Sequence, residues 1–99
     1  MKFKISEEAA FDLEEIWFYT FENWSIKQAD RYLNIILDGI EYLAKNPKAG
    51  QDYSKIRKGY FRFRVRSHFI FYRINSTEKI IEIIRVLHQR MDIDSRLNQ

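Results

Sequence analysis

Ninety-nine residues, 45% of them hydrophobic, suit one domain spanning 1–99, and a chain of this size buries roughly 60–65% of its unfolded surface. Cysteine is absent, which excludes a disulfide framework and a thiolate zinc site, and no run approaches the ~18 apolar residues of a membrane span. The net charge of +3 hides a division: residues 1–50 hold six Lys/Arg against nine Asp/Glu, residues 51–99 eleven against five, so the second half stands at +6.

Residues 2–5, KFKI, alternate polar and apolar and read as a short strand. The opening MKFKISEEAAFDLEE carries early acids and no continuous apolar stretch, so it does not read as a secretory signal, and a cytoplasmic location is expected. Ser6 reads as a helix N-cap, with Glu7 and Glu8 in the first turn where the helix dipole favours negative charge. Ala10, Leu13, Trp17, Thr20, Phe21 and Trp24 recur at helical spacing and predict a helix over 7–23 with that stripe inward. Five aromatics between 17 and 24 cannot all face one way, so Phe18 or Trp24 is expected to be partly exposed and to suit a protein partner. A second helix carries Ala29, Tyr32, Leu33, Ile36, Leu37, Ile40 and Leu43 and ends at Asn46-Pro47. The short link at 23–25 predicts an antiparallel helical hairpin, and residues 47–58 read as a loop.

The pattern then changes to a period of two. Phe61, Phe63 and Val65 alternate with Tyr60, Arg62, Arg64 and Arg66, which places the arginines on one face. A second strand over 69–74 sets Ile70, Tyr72 and Ile74 against Phe69, Phe71 and Arg73. A third over 79–87 sets Ile80, Glu82, Ile84 and Val86 against Ile81, Ile83, Arg85 and Leu87. Tight turns make these three an antiparallel meander. The fold class expected is α+β: a strand, a helical hairpin and a three-stranded meander, with the helices on one sheet face. The other face is expected to be partly open, with the arginines of 62–66 on it and Arg73 and Arg85 as neighbours. The tail after Met91 is short, polar and potentially helical.

Two kinds of chemistry compete for the stretch IIRVLHQRMD at 83–92. A metal-independent ribonuclease needs a base for the 2′-hydroxyl, an acid for the leaving oxygen, and cations around the phosphorus. His88 could supply acid or base near neutrality, and Arg57, Lys58, Arg64 and Arg85 could hold phosphate in two-pronged contacts. The structural alternatives are a strand-end histidine bonded to backbone or to Asp92, and an Arg85 ion-paired with a carboxylate. A metal site is not expected, since His68 and His88 are the only histidines and lack carboxylates at ligand spacing. Gly39, Gly50 and Gly59 stand alone, so no phosphate-cradling loop is present, and no serine has a nucleophile context. No cofactor is implied.

Five segments, DLEEIWFYT (12–20), QADRYLNII (28–36), LAKNPKAG (43–50), IRKGYFRFRVRSHFIFYRI (56–74) and IIRVLHQRMD (83–92), together resemble the ParE-type toxins of the RelE/ParE toxin–antitoxin superfamily. The resemblance runs over nearly the whole chain, and SHxIFYR followed by RVLHxRMD carries most of it. It implies a helical hairpin against an antiparallel sheet. It also implies a type II toxin neutralised by a ParD-like antitoxin, whose C-terminal segment wraps the toxin as helix and extended peptide in a hetero-oligomer. ParE-like members poison DNA gyrase on cleaved DNA, whereas RelE-like members cut mRNA in the ribosome. Ribonuclease members usually place a tyrosine, or a His-Tyr pair, after the last strand; here Gln89 follows His88 and no Phe, Tyr or Trp occurs after Tyr72. The gyrase branch is therefore expected, with no catalytic residues. Under the ribonuclease alternative the set is Arg57, Arg64, Arg85 and His88. Partner contacts are expected at Phe18, Trp24, Arg62, Arg64, Arg66, Arg73, Arg85, His88 and Arg90, without sequence-specific binding of nucleic acid and without a membrane.

Overall fold

The computed structural model describes residues 1–97 and contains eight elements in chain order. These are β1 (Lys2–Ile5), α1 (Glu7–Asn23), α2 (Ile26–Lys45), β2 (Gln51–Asp52), β3 (Phe61–Val65), β4 (His68–Asn75), β5 (Ile80–His88) and α3 (Ile93–Leu97). They form one five-stranded sheet in the order β1-β5-β4-β3-β2, antiparallel throughout except for the parallel pair β1 and β5. The meander, the hairpin and the class α+β are as expected from the sequence. The strand over 2–5 is also as expected; its parallel pairing with β5 is an addition, and so is the two-residue β2 inside the segment expected to be loop.

The helical hairpin lies on one sheet face. From α2 the stripe the spacing predicts, Ala29, Tyr32, Leu33, Ile36, Leu37, Ile40 and Leu43, is buried or half-buried throughout, joined by Ile35, Gly39 and Ala44. Ile36, Ile40 and Leu43 are fully buried and meet Ile70, Tyr72, Ile81, Ile83 and Val86 in the main core. Burial of each such isoleucine or leucine favours folding by roughly 1.5–3 kcal/mol. Gly39 lets α2 approach β3: a Cβ there would stand 2.8 Å from Val65 Cγ2. The hydroxyl of Tyr72 donates to Pro47 O at 2.7 Å and accepts from Gly50 N–H at 2.9 Å, fixing the 47–50 loop beneath the sheet.

The inward face of α1 differs from expectation. Ala9, Asp12 and Leu13 are buried and Ile16, Trp17 and Thr20 half-buried, so Leu13, Trp17 and Thr20 face inward as expected, while Ala10, Phe21 and Trp24 are exposed. The reason lies in where the helix sits. Its first half lies over β5, with Ala9, Leu13 and Ile16 in the main core. Its second half and the start of α2 pack on each other, and neither apolar cluster includes a residue between Trp17 and Arg31. Trp17 stacks on Phe21, meets Phe18 edge-on, and donates its indole N–H to Asp30 of α2 at 2.8 Å.

The alternation in β5 also breaks. Arg85 pairs with Phe71 but Ile83 with Tyr72, so Ile84 is an extra residue, a β-bulge. Strict alternation had put Ile84 and Val86 on one face; the bulge sends Ile81, Ile83 and Val86 to the helices and Ile84 and Leu87 to the opposite side. On that side Phe71 and Leu87 are covered by Tyr60 and by Leu97 of α3, with Tyr53, Phe69, Ile84 and Ile93 around them. The second sheet face thus carries a small core of its own.

Candidate functional site

The edge of β5 explains Asp12. Pairing with β1 ends at Ile5–Ile83, after which Ser6 N–H donates to Ile83 O and the Ser6 hydroxyl to Ile84 O. The same hydroxyl oxygen accepts from Ala9 N–H as the N-cap of α1. One turn later the Asp12 carboxylate takes over as acceptor. It receives Val86 N–H at 2.9 Å and both arms of the Arg85 guanidinium, Nε at 2.8 Å and Nη2 at 3.0 Å. A buried carboxylate so satisfied does the work of the missing strand, because backbone N–H groups left unpaired in a dry interior are costly. Hydrogen bonding to Asp12 raises the Arg85 pKa above its ordinary value, and its Nη1 donates to Arg96 O in α3.

That arrangement corrects the placement of Arg85. It was expected on the open basic face; instead it lies at the sheet edge with its side chain 15% exposed, against 10% for Asp12. The bulge beside it releases the side chain from strict alternation. The alternative of an ion-paired Arg85 is the one the structure adopts.

The other arginines separate into three environments. Arg62 lies flat between Tyr53 and Phe69, 4.8 and 4.6 Å from the ring centres, and donates to Gln51. Arg73 pairs with Glu82 at 3.1 Å, beyond the start of β3 and away from the others. Arg57 stacks over Tyr60 in the loop before β3. Only Arg64, Arg66, His88 and Arg90 come together, where the β3–β4 turn meets the exit of β5: Val65 pairs with His68, His68 with His88, and Gln89 N–H donates to Ser67 O at 2.8 Å. The four residues of the ribonuclease alternative are therefore scattered, with Arg57 in a loop, Arg85 at the edge and only Arg64 and His88 at the same end of the sheet.

At that end two histidines stand face to edge, 5.1 Å between ring centres. The sequence reading assigned no role to His68 or Tyr32; only the strand register brings them beside His88. Tyr32 Oη accepts a long contact from Ser67 N–H at 3.4 Å and shares a hydrogen bond of 2.7 Å with His68 Nδ1, whose donor is set by the His68 tautomer. Burial is the main cause of a His68 pKa near 4, reinforced by His88 and opposed by Asp12. His88 Nδ1 accepts Arg90 N–H at 3.0 Å, the strand-end backbone bond considered from the sequence. Each ring thus has its Nδ1 engaged in a hydrogen bond, and in His88 that nitrogen is the acceptor. Among the described residues no group of three or more His, Asp or Glu could hold a metal ion.

The exposed apolar surface is concentrated on α1 and the inter-helix turn. Phe11, Phe18, Tyr19, Phe21, Trp24 and Ile26 are all exposed, Phe18 at 46% and Trp24 at 67%. Tyr19 and Trp24 meet edge-on. No helix among the described residues is long and apolar enough to cross a membrane.

Residues 3–93 match the family model described as the ParE toxin of the type II toxin–antitoxin system parDE. The chain is 41% identical over 96 residues to Toxin ParE1 of Mycobacterium tuberculosis, covering 97% of both chains. It is 38% identical over 95 residues to Toxin ParE1 of Caulobacter vibrioides, with 96% of each covered, and 30% identical over 93 residues to Toxin ParE of Escherichia coli, with 94% and 89% covered. Among solved structures, one titled as the chromosomal ParDE system from P. aeruginosa superposes with a TM-score of 0.76 at 21% identity, over 89% of this chain and 95% of that one. By matched length and by identity to these relatives, this chain belongs to the ParE toxin family of type II toxin–antitoxin systems.

Proposed function

We propose that the chain is a single ParE-like domain that arrests growth by binding DNA gyrase and holding it on cleaved DNA. A ParD-like antitoxin, paired with it in a hetero-oligomer in the cytoplasm, neutralises it. In this reading the protein is not an enzyme. The carrying observation is the commitment of Arg85 to Asp12, with Nδ1 of both His68 and His88 already engaged in hydrogen bonds. Phosphodiester cleavage needs a base, an acid and free cations around one atom, and the residues available for it stand apart. An inhibitor needs only a complementary surface, and the exposed α1 aromatics and the basic sheet end are surfaces of that kind.

The antitoxin in this reading uses the apolar surface of α1. Phe11, Phe18 and Trp24 sit among Glu14, Glu15 and Glu22, a pattern suited to a helix with an apolar stripe and basic flanks. The test is a supercoiling and cleavage assay with purified gyrase. Folded toxin should inhibit supercoiling and accumulate linear DNA; no effect at saturating toxin would refute the gyrase reading. Cleavage of mRNA on translating ribosomes, lost in His88→Ala, would establish the ribonuclease reading in its place.

A further inference from the structure

The β3–β4 hairpin has an unusual residue at its tip. Val65 and His68 close it, which leaves Arg66 and Ser67 as a two-residue loop, and Arg66 has φ +56°. A positive φ at the first loop position only is the II′ pattern, where glycine is the residue at ease. An arginine there holds a conformation that its Cβ disfavours. Strain of this kind directs attention to what the side chain does.

Two other arginines share that end. Arg64 donates from Nε to Arg66 O at 2.9 Å, which holds its guanidinium against the turn. Arg90 follows the exit of β5, joined to the turn through the Gln89 N–H to Ser67 O bond. All three are exposed, and neither the Arg73–Glu82 nor the Arg85–Asp12 ion pair involves them. Asp92, the nearest acid in the chain, accepts Ser95 N–H at the start of α3. Lys79 also has a positive φ, but Glu78 precedes it, and only at the Arg66 turn does the strained residue join a group of arginines without carboxylates.

We propose that the Arg64–Arg66–Arg90 end of the sheet binds the phosphate backbone of duplex DNA, without regard to base sequence. Guanidinium groups suit phosphate oxygens because they offer paired donors in a fixed fork. The surroundings favour a duplex over the other anionic partners. An acidic peptide held by its side chains would need apolar pockets beside the charges, and the neighbouring rings are occupied, Phe63 under Tyr42 and Phe69 under Arg62. Among the described residues β3 has no strand partner past Arg62 on its outer side, so an acidic peptide is kept as a competitor in the test. Single-stranded nucleic acid would need exposed rings to stack on, and the strands and turns of this end offer none. What is left is charge on a polar surface, the character of a backbone contact. This inference goes beyond the gyrase reading and does not depend on it, although DNA held by the enzyme would be a natural ligand.

The experiment is an anisotropy titration of the full chain against a labelled 20-base-pair duplex of arbitrary sequence, without gyrase, over a range of salt. Three phosphate contacts predict that log K falls with log salt with a slope near 3, and Arg66→Gly with Arg90→Gln should lower that slope by about 2 and weaken binding at least tenfold at low salt. Arg66→Gly relieves the positive φ, so its melting temperature should be unchanged or higher, which separates lost affinity from unfolding. Equal binding by wild type and the double variant, or preference for single-stranded DNA, duplex RNA or poly-glutamate over the duplex, would overturn the proposal. Gyrase trapping measured on the same preparations is a separate readout: duplex binding without trapping refutes the gyrase reading alone, and trapping without duplex binding refutes this one alone.

Discussion

The two halves of the helical hairpin are built from similar residues and put to different uses. Where α1 and α2 lie over the sheet, Ala9, Leu13, Ile36 and Ile40 vanish from solvent, and even a carboxylate, Asp12, is buried because strand β5 needs its oxygens. Past Trp17 the helices have no sheet beneath them, and the larger residues Phe18, Tyr19, Phe21 and Trp24 remain exposed. Ring size therefore does not decide burial here; the presence of a facing layer does. The lower hairpin holds the fold, and the overhang leaves its rings on the surface.

The contrast can be broken first at the lower half. Ile36→Asp should abolish the cooperative melt, because it sets an unpaired charge where exposure is now zero. Asp12→Ala should cost about 3–5 kcal/mol, since it strands both the Arg85 guanidinium and Val86 N–H. For a domain of this length that lowers the melting temperature by more than about 10 °C in calorimetry. A near-native melt in Asp12→Ala would show that the edge of β5 is not held as described.

A smaller effect concerns acid. The His68 pKa is lowered from 6.5 to about 4, mainly by burial. The unfolded chain therefore binds a proton that the folded chain refuses, and the penalty from this residue grows as pH falls from about 6.5 towards 4. Over that window wild type should lose on the order of 2–3 kcal/mol more stability than His68→Asn, read as the difference between the two denaturation curves. Parallel curves would mean that His68 is protonated in the fold. At the overhang, Phe18→Ala and Trp24→Ala should each change stability by less than about 0.5 kcal/mol while weakening antitoxin binding at least tenfold in calorimetric titration. Stability losses above 2 kcal/mol there would erase the contrast between the halves.

Much of this was legible in the sequence, and what was not has specific causes. The α2 stripe could be read because all of its positions except Ala29 pack into the core over the sheet. The α1 stripe was misaligned because aromatic periodicity continues into the overhang while the true inward face includes a buried aspartate, which pattern reading scores as solvent-facing. The bulge at Ile84 is invisible to alternation, so the faces of β5 and the position of Arg85 were misjudged together. His68 drew no notice for a related reason. Its importance comes from register with His88 and from Tyr32 on a helix thirty-six residues earlier, both long-range facts.

The claim that this protein acts through surfaces and not through catalysis is tested most directly by growth arrest on expression of His88→Ala without antitoxin, with its melting temperature measured alongside. The account predicts full arrest and a near-native melt, because His88 contributes one backbone hydrogen bond and no proton transfer. Loss of arrest in a protein that still melts as wild type and still binds its antitoxin would contradict it.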